Sequence, residues 1–177
     1  MKLNIEKFNK KNICLTGLMG SGKSVTGRLL AKKLGFKFYD TDNLIEKKVN
    51  KSIKQIFNDH GEQYFRKIEE NVVVPLLEKK KCVISLGGGS VLSAKIRKVL
   101  KSNSYTIYLN VEIENLYERL KHSRRRPLLE GENIKKKLIQ LTKDRKKYYK
   151  EANLILNNSD ELIETVNIII KKLNNNE

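Results

Sequence analysis

Short apolar runs alternate with stretches of helical period along the whole chain. Strand-like runs fall at residues 12–16, 37–40, 82–86, 105–110 and 153–157, and a helical pattern follows each of them. Such alternation predicts an α/β domain built on a mainly parallel sheet. After the fourth run, Ile113, Leu116, Tyr117 and Leu120 recur at helical spacing. The last stretch is the clearest, with Leu162, Ile163, Val166, Ile169, Ile170 and Leu173 forming one stripe. Ser159 and Asp160 stand at its start and Lys171 and Lys172 at its end, as capping and the helix dipole favour. A helix over residues 62–80 contains Pro75, so a kink or break is expected there. Residues 121–133 have no period; Arg124, Arg125, Arg126 and Pro127 mark them as a basic surface loop or a lid.

The segment Gly17-Leu18-Met19-Gly20-Ser21-Gly22-Lys23-Ser24 fits G-x-x-x-x-G-K-[ST] between a strand and a helix that opens at Val25. In that setting the loop wraps around a phosphate. The main-chain N–H groups of Gly20, Ser21, Gly22, Lys23, Ser24 and Val25 then face one point at a helix amino terminus. Lys23 would reach the β- and γ-phosphates of ATP, and Ser24 would offer a hydroxyl to Mg²⁺. A dinucleotide fingerprint is excluded, because Val25 stands where its third glycine belongs.

A P-loop protein needs a further carboxylate for its metal, and only the second strand ends in one, at Asp40. Asp40 is therefore expected to hold Mg²⁺ with Ser24, through water. Asp42 points further out and can take the proton of an attacking hydroxyl, which predicts an alcohol acceptor. The competing structural reading makes Asp42 or Thr41 the cap of a helix over residues 43–49. Gly87, Gly88 and Gly89 follow the third strand and would let a ligand approach the backbone closely.

Charge adds less than its size suggests. The net charge is +17, but only eight of the 37 basic residues are arginine and the lysines are scattered, as on a solvated surface. Two arginines are more telling. Arg145 falls on the apolar stripe Ile134, Leu138, Leu141, Tyr148 of a helix beginning at Glu132, where a cation needs an anion or a way out to solvent. Arg66 precedes Glu69 and Glu70 by one turn, and an intrahelical pair would explain it.

The chain has 177 residues, 39% apolar and 32% charged, which suits one globular domain. No stretch approaches the roughly 18 to 20 apolar residues of a membrane span, and the amino terminus lacks the apolar core of a secretory signal. Cys14 and Cys82 lie in apolar runs, as buried reduced thiols do. A cytoplasmic protein is expected.

In order and spacing these residues resemble the shikimate kinase family from Asn12 to about Leu173. The match takes in the P-loop, Asp40-Thr41-Asp42, Ser52 to Phe57, Gly61 to Arg66, Glu69 and the three glycines. It continues through Arg126-Pro127-Leu128-Leu129 to Arg145. The resemblance implies a nucleoside-monophosphate-kinase-like fold with a five-stranded parallel sheet, a substrate-binding region at about 42–71 and a lid at about 121–133. It implies transfer of the γ-phosphoryl group of ATP to the 3-hydroxyl of shikimate, in chorismate and aromatic amino acid biosynthesis. Carried over, Asp42 and the backbone at Gly87, Gly88 and Gly89 would hold the shikimate hydroxyls. Arg66 and Arg145 would grip its carboxylate beside Phe57 and Phe65. Arg126 would reach the γ-phosphate, and Arg119 would stack on adenine. The family's proline on the other face of adenine has no counterpart, since the only prolines are Pro75 and Pro127. A monomer without membrane or nucleic-acid partners is expected.

Two alternatives remain at this level. One is a kinase of the same fold for gluconate or a nucleoside monophosphate. The other is a P-loop nucleic-acid module, which the acids Asp40 and Asp42 disfavour because they would repel a polyanion.

Overall fold

The computed structural model describes residues 9–121, 133–158 and 161–175. Five strands form one parallel sheet: β1 (Asn12–Thr16), β2 (Lys37–Asp40), β3 (Cys82–Ser85), β4 (Ser104–Asn110) and β5 (Leu154–Asn157), in the order β2-β3-β1-β4-β5. Each boundary lies within a residue of the expected one. β1 is buried along its whole length, as a central parallel strand is.

Side chains alternate across the sheet and sort the core into two faces. Ile13, Leu15, Ile107 and Leu109 pack under α1 (Lys23–Leu34) and α7 (Leu162–Asn175). Cys14, Cys82 and Ile84 pack on the opposite face against α3 (Ile53–Leu76) and α4 (Ala94–Asn103). A further cluster joins Leu18, Met19 and Tyr108 to α5 (Ile113–Leu120) and α6 (Ile134–Tyr149). Both cysteines are free and buried, as expected. Among the described residues no helix is long and apolar enough to cross a membrane.

Four local expectations need correction. The interruption of α3 comes at Gly61, with φ +76°, rather than at Pro75. Pro75 sits in the last turn, where it forfeits one bond to the preceding turn without a non-helical residue around it, and α3 stops at Leu76. The helix begins earlier than expected, at Ile53, behind a capping box between Ser52 and Gln55. The cap of α2 (Thr41–Val49) is Asp40, not Asp42 or Thr41: its Oδ1 accepts from Asp42 N at 3.1 Å and Asn43 N at 3.3 Å. The buried stripe of α6 runs through Leu138, Leu141 and Arg145 to Tyr149, with Tyr148 only partly buried. Ser159, Asp160, the segment 122–132 and with it Arg124, Arg125, Arg126 and Pro127 lie outside the described residues.

Candidate active site

The carboxyl ends of β1, β2 and β3 open on one side of the sheet, at the point where the chain switches from building toward β2 to building toward β5. A cavity of about 390 Å³ lies there. Gly20, Ser24, Asp40 and Asp42 line one part of it; Phe57, Phe65, Arg66 and Arg145 line another, with Gly87, Gly88 and Gly89 between.

At the phosphate end, Gly22 caps α1 from a left-handed conformation, and no acidic residue stands in the first helical turn. Lys23 is buried, its Nζ donating to the carbonyls of Gly17 (2.9 Å) and Leu18 (2.7 Å). Ser24 Oγ donates to Asp40 Oδ2 at 2.5 Å. Asp40 thus divides its oxygens, one on the α2 amides and one on the P-loop serine. Val25 turns its side chain to solvent, leaving only its main chain to serve a phosphate. Arg119, on α5, donates to Gly20 O at 2.9 Å and so stands at the outer edge of the loop.

Gly88 abuts the P-loop: a Cβ there would be 3.3 Å from Gly17 O. The two acids and the glycine turn therefore do converge beside the phosphate loop. Thr41 Oγ1 accepts from Gly87 N at 2.9 Å and fastens the turn to α2. The turn also bears on the acids, since a Cβ at Gly87 would come within 2.8 Å of both Asp42 Oδ1 and Glu69 Oε1.

The arginines differ in how they are held. Arg66 donates to Glu69 Oε2 at 2.6 Å and to Glu62 Oε1 at 2.8 Å, so the intrahelical pair foreseen with Glu69 is present. Burial works against its charge, but Glu69 and Glu62 outweigh it, and the guanidinium pKa is raised. Glu69 is 1% exposed; burial pushes its carboxyl up, opposed by Arg66 and by Ser90 Oγ, which donates at 2.6 Å. Glu70 instead accepts from Ser93. Arg145 is 2% exposed, and its Nε and Nη1 find no hydrogen-bond partner among the described residues. A buried guanidinium that has no anion among the described residues and faces a cavity calls for one. Phe57 and Phe65, 4.9 Å apart between ring centroids, form an apolar wall bridging the two segments of α3.

Some neighbours of the site were not foreseen. Asn158 Nδ2 donates to Ser21 O at 2.8 Å, and its Oδ1 accepts from Thr165 Oγ1 at 2.8 Å, tying β5 and α7 to the P-loop. The Ser21 contact spans 137 residues of sequence and leaves no local signal.

A P-loop at the edge of a five-stranded parallel sheet, opening on acids and arginines, is the architecture of P-loop kinases. The sequence profile described as SKI, shikimate kinase, matches residues 19–174. A shikimate kinase of Persephonella marina is 42% identical over 144 residues, covering 81% of this chain and 87% of that protein. The structure of shikimate kinase from Acinetobacter baumannii in complex with shikimate superposes with a TM-score of 0.92 at 34% identity, covering 98% of this chain and 99% of that one. A gluconokinase from Sinorhizobium meliloti shares the fold alone, with a TM-score of 0.56 and 19% identity over 96% of this chain and 95% of that one. The chain belongs to the shikimate kinase family.

Proposed function

We propose that this chain transfers the γ-phosphoryl group of ATP to the 3-hydroxyl of shikimate, giving shikimate 3-phosphate and ADP. The observation that carries the acceptor is Arg145, buried without a partner at Nε and Nη1 in a cavity whose other end is a P-loop. A carboxylate fits it, and Arg66 on the facing helix offers a second guanidinium.

Lys23 exchanges its loop carbonyls for the β- and γ-phosphate oxygens. The hydroxyl of Ser24 and the carboxylate of Asp40 are hard oxygen donors in contact, and no group of three or more metal-ligating side chains occurs among the described residues. That donor set suits Mg²⁺, which keeps most of its waters and takes few protein ligands. When bound, the ion neutralises charge on the β- and γ-phosphates. Asp42 accepts the proton of the 3-hydroxyl as its oxygen bonds to the γ-phosphorus and the bond to the ADP oxygen breaks. Gly87, Gly88 and Gly89 hold the ring hydroxyls, and Phe57 and Phe65 pack on the ring. Positioning and charge carry the rate, since a loose transition state leaves little covalent work to the protein.

In this reading Arg126 adds a cation at the γ-phosphate and Arg119 lies along the adenine. The chain acts as one domain with an acceptor-binding region at about 42–71 and a lid at about 121–133. The enzyme is a cytoplasmic monomer of aromatic amino acid biosynthesis. The test is ADP release by the purified protein with Mg·ATP and a panel of acceptors. Turnover with shikimate supports the reading. Turnover with gluconate or a nucleoside monophosphate, and none with shikimate, overturns it.

A further inference from the structure

One buried side chain touches both halves of the acceptor end without lining the cavity. Tyr149 is the last residue of α6, one turn beyond Arg145, and is 1% exposed. Its hydroxyl donates to Gly88 O at 2.5 Å, and Gly88 lies against Arg145, a Cβ there standing 3.6 Å from Nη1. A phenol has one O–H and two lone pairs. With the O–H committed to Gly88, the oxygen's lone pairs stay open to a donor such as the neighbouring Arg145. Burial pushes the phenol pKa up, with Arg145 opposing, so the donor is retained. The ring is fixed by Tyr108, stacked at 4.9 Å and 18°, whose own hydroxyl is used on Asn110.

The geometry of the peptide bond gives this contact its meaning. The Gly88 carbonyl and the Gly89 N–H lie on opposite edges of one planar unit. Tying the carbonyl to Tyr149 turns the Gly89 N–H away from Tyr149. Through Gly88 the same phenol bears on the guanidinium whose Nε and Nη1 have no partner among the described residues. Neither effect needs Tyr149 to reach the acceptor.

We infer that Tyr149 is a positioning residue for acceptor binding: it sets Arg145 and the Gly88–Gly89 peptide together, so that carboxylate and hydroxyl of one substrate are met in register. The inference rests on the proposed acceptor. The test is Tyr149→Phe, which keeps the ring and removes the hydroxyl, compared with wild type and Arg145→Lys. The shikimate KM and the calorimetric shikimate Kd are expected to rise about tenfold or more, with the ATP KM within about twofold. In the Arg145→Lys background the same change should add less than about threefold, because the fork that Tyr149 orients is gone. An unchanged shikimate KM, equal loss for both substrates, additive effects in the double variant, or a Tyr149→Phe chain that does not fold each make Tyr149 merely structural and overturn the inference. The two readings fail differently: wild type without shikimate turnover overturns the function, while wild-type turnover with an indifferent Tyr149→Phe overturns only this role.

Discussion

The guanidinium of Arg66 occupies the space into which a side chain at position 89 would grow. A Cβ on Gly89 would stand 2.3 Å from Nη2 and 2.6 Å from Cζ of Arg66. The third glycine of the turn thus leaves room for the head of an arginine 23 positions earlier, and the acceptor end is built as a unit.

Gly89→Ala should therefore displace Arg66, whose fork is held on its other side by Glu62 and Glu69. The expected result is a shikimate KM raised by about tenfold or more, with the ATP KM within about twofold. Steady-state kinetics with each substrate varied in turn checks this.

Asp42→Asn removes the proposed proton acceptor while keeping its shape. Turnover should fall by about 10²-fold or more, and the ATP dissociation constant should change by less than about threefold. Single-turnover rates and nucleotide titration separate the two quantities. Near-normal turnover would remove Asp42 from the chemistry.

Asn158→Ala cuts the link between α7, β5 and the P-loop carbonyl of Ser21. Loss of these part-buried bonds should cost about 1 kcal/mol of stability and raise the ATP KM several-fold. The shikimate KM should hardly move. Thermal denaturation and kinetics on one preparation give both readings.

The thiols give a pH prediction. Burial pushes Cys14 up to about 12 and Cys82 to about 11, from 9.0. Below pH 9 both states hold these protons and the thiols do not change stability with pH. Above it the unfolded chain releases protons that the folded chain keeps, so stability falls by about 1.4 kcal/mol per pH unit for each thiol. Cys14→Ala should show a shallower decline between pH 9 and 11 in denaturant titrations. DTNB should label wild type only after unfolding.

The sheet and P-loop were legible because continuous apolar runs and a motif in strand–helix context are local signals. Gly61 was not, since one residue with positive φ leaves the apolar period of α3 intact on either side. Pro75 misled for the opposite reason: its local rule is strong, but its position in the last turn decides what the rule does. Adjacent Tyr148 and Tyr149 both fit a 3.6-residue period, and only packing against Tyr108 selects the second for burial. The sequence pattern points Asp40 at a metal and its neighbours at capping, whereas a carboxylate has two oxygens and serves the cap and Ser24 together. Asn158 acts across 137 residues of sequence and is invisible without the fold.

Asp40 has a mechanical consequence. The residue proposed to hold the metal with Ser24 is also the anchor of the short helix bearing Asp42. Any shift of Ser24 on nucleotide arrival tugs the same carboxylate that sets the pitch of that helix. On the proposed mechanism, news of a loaded nucleotide thereby travels two residues along the backbone, and the proposed base is trimmed into place by the event that makes it useful.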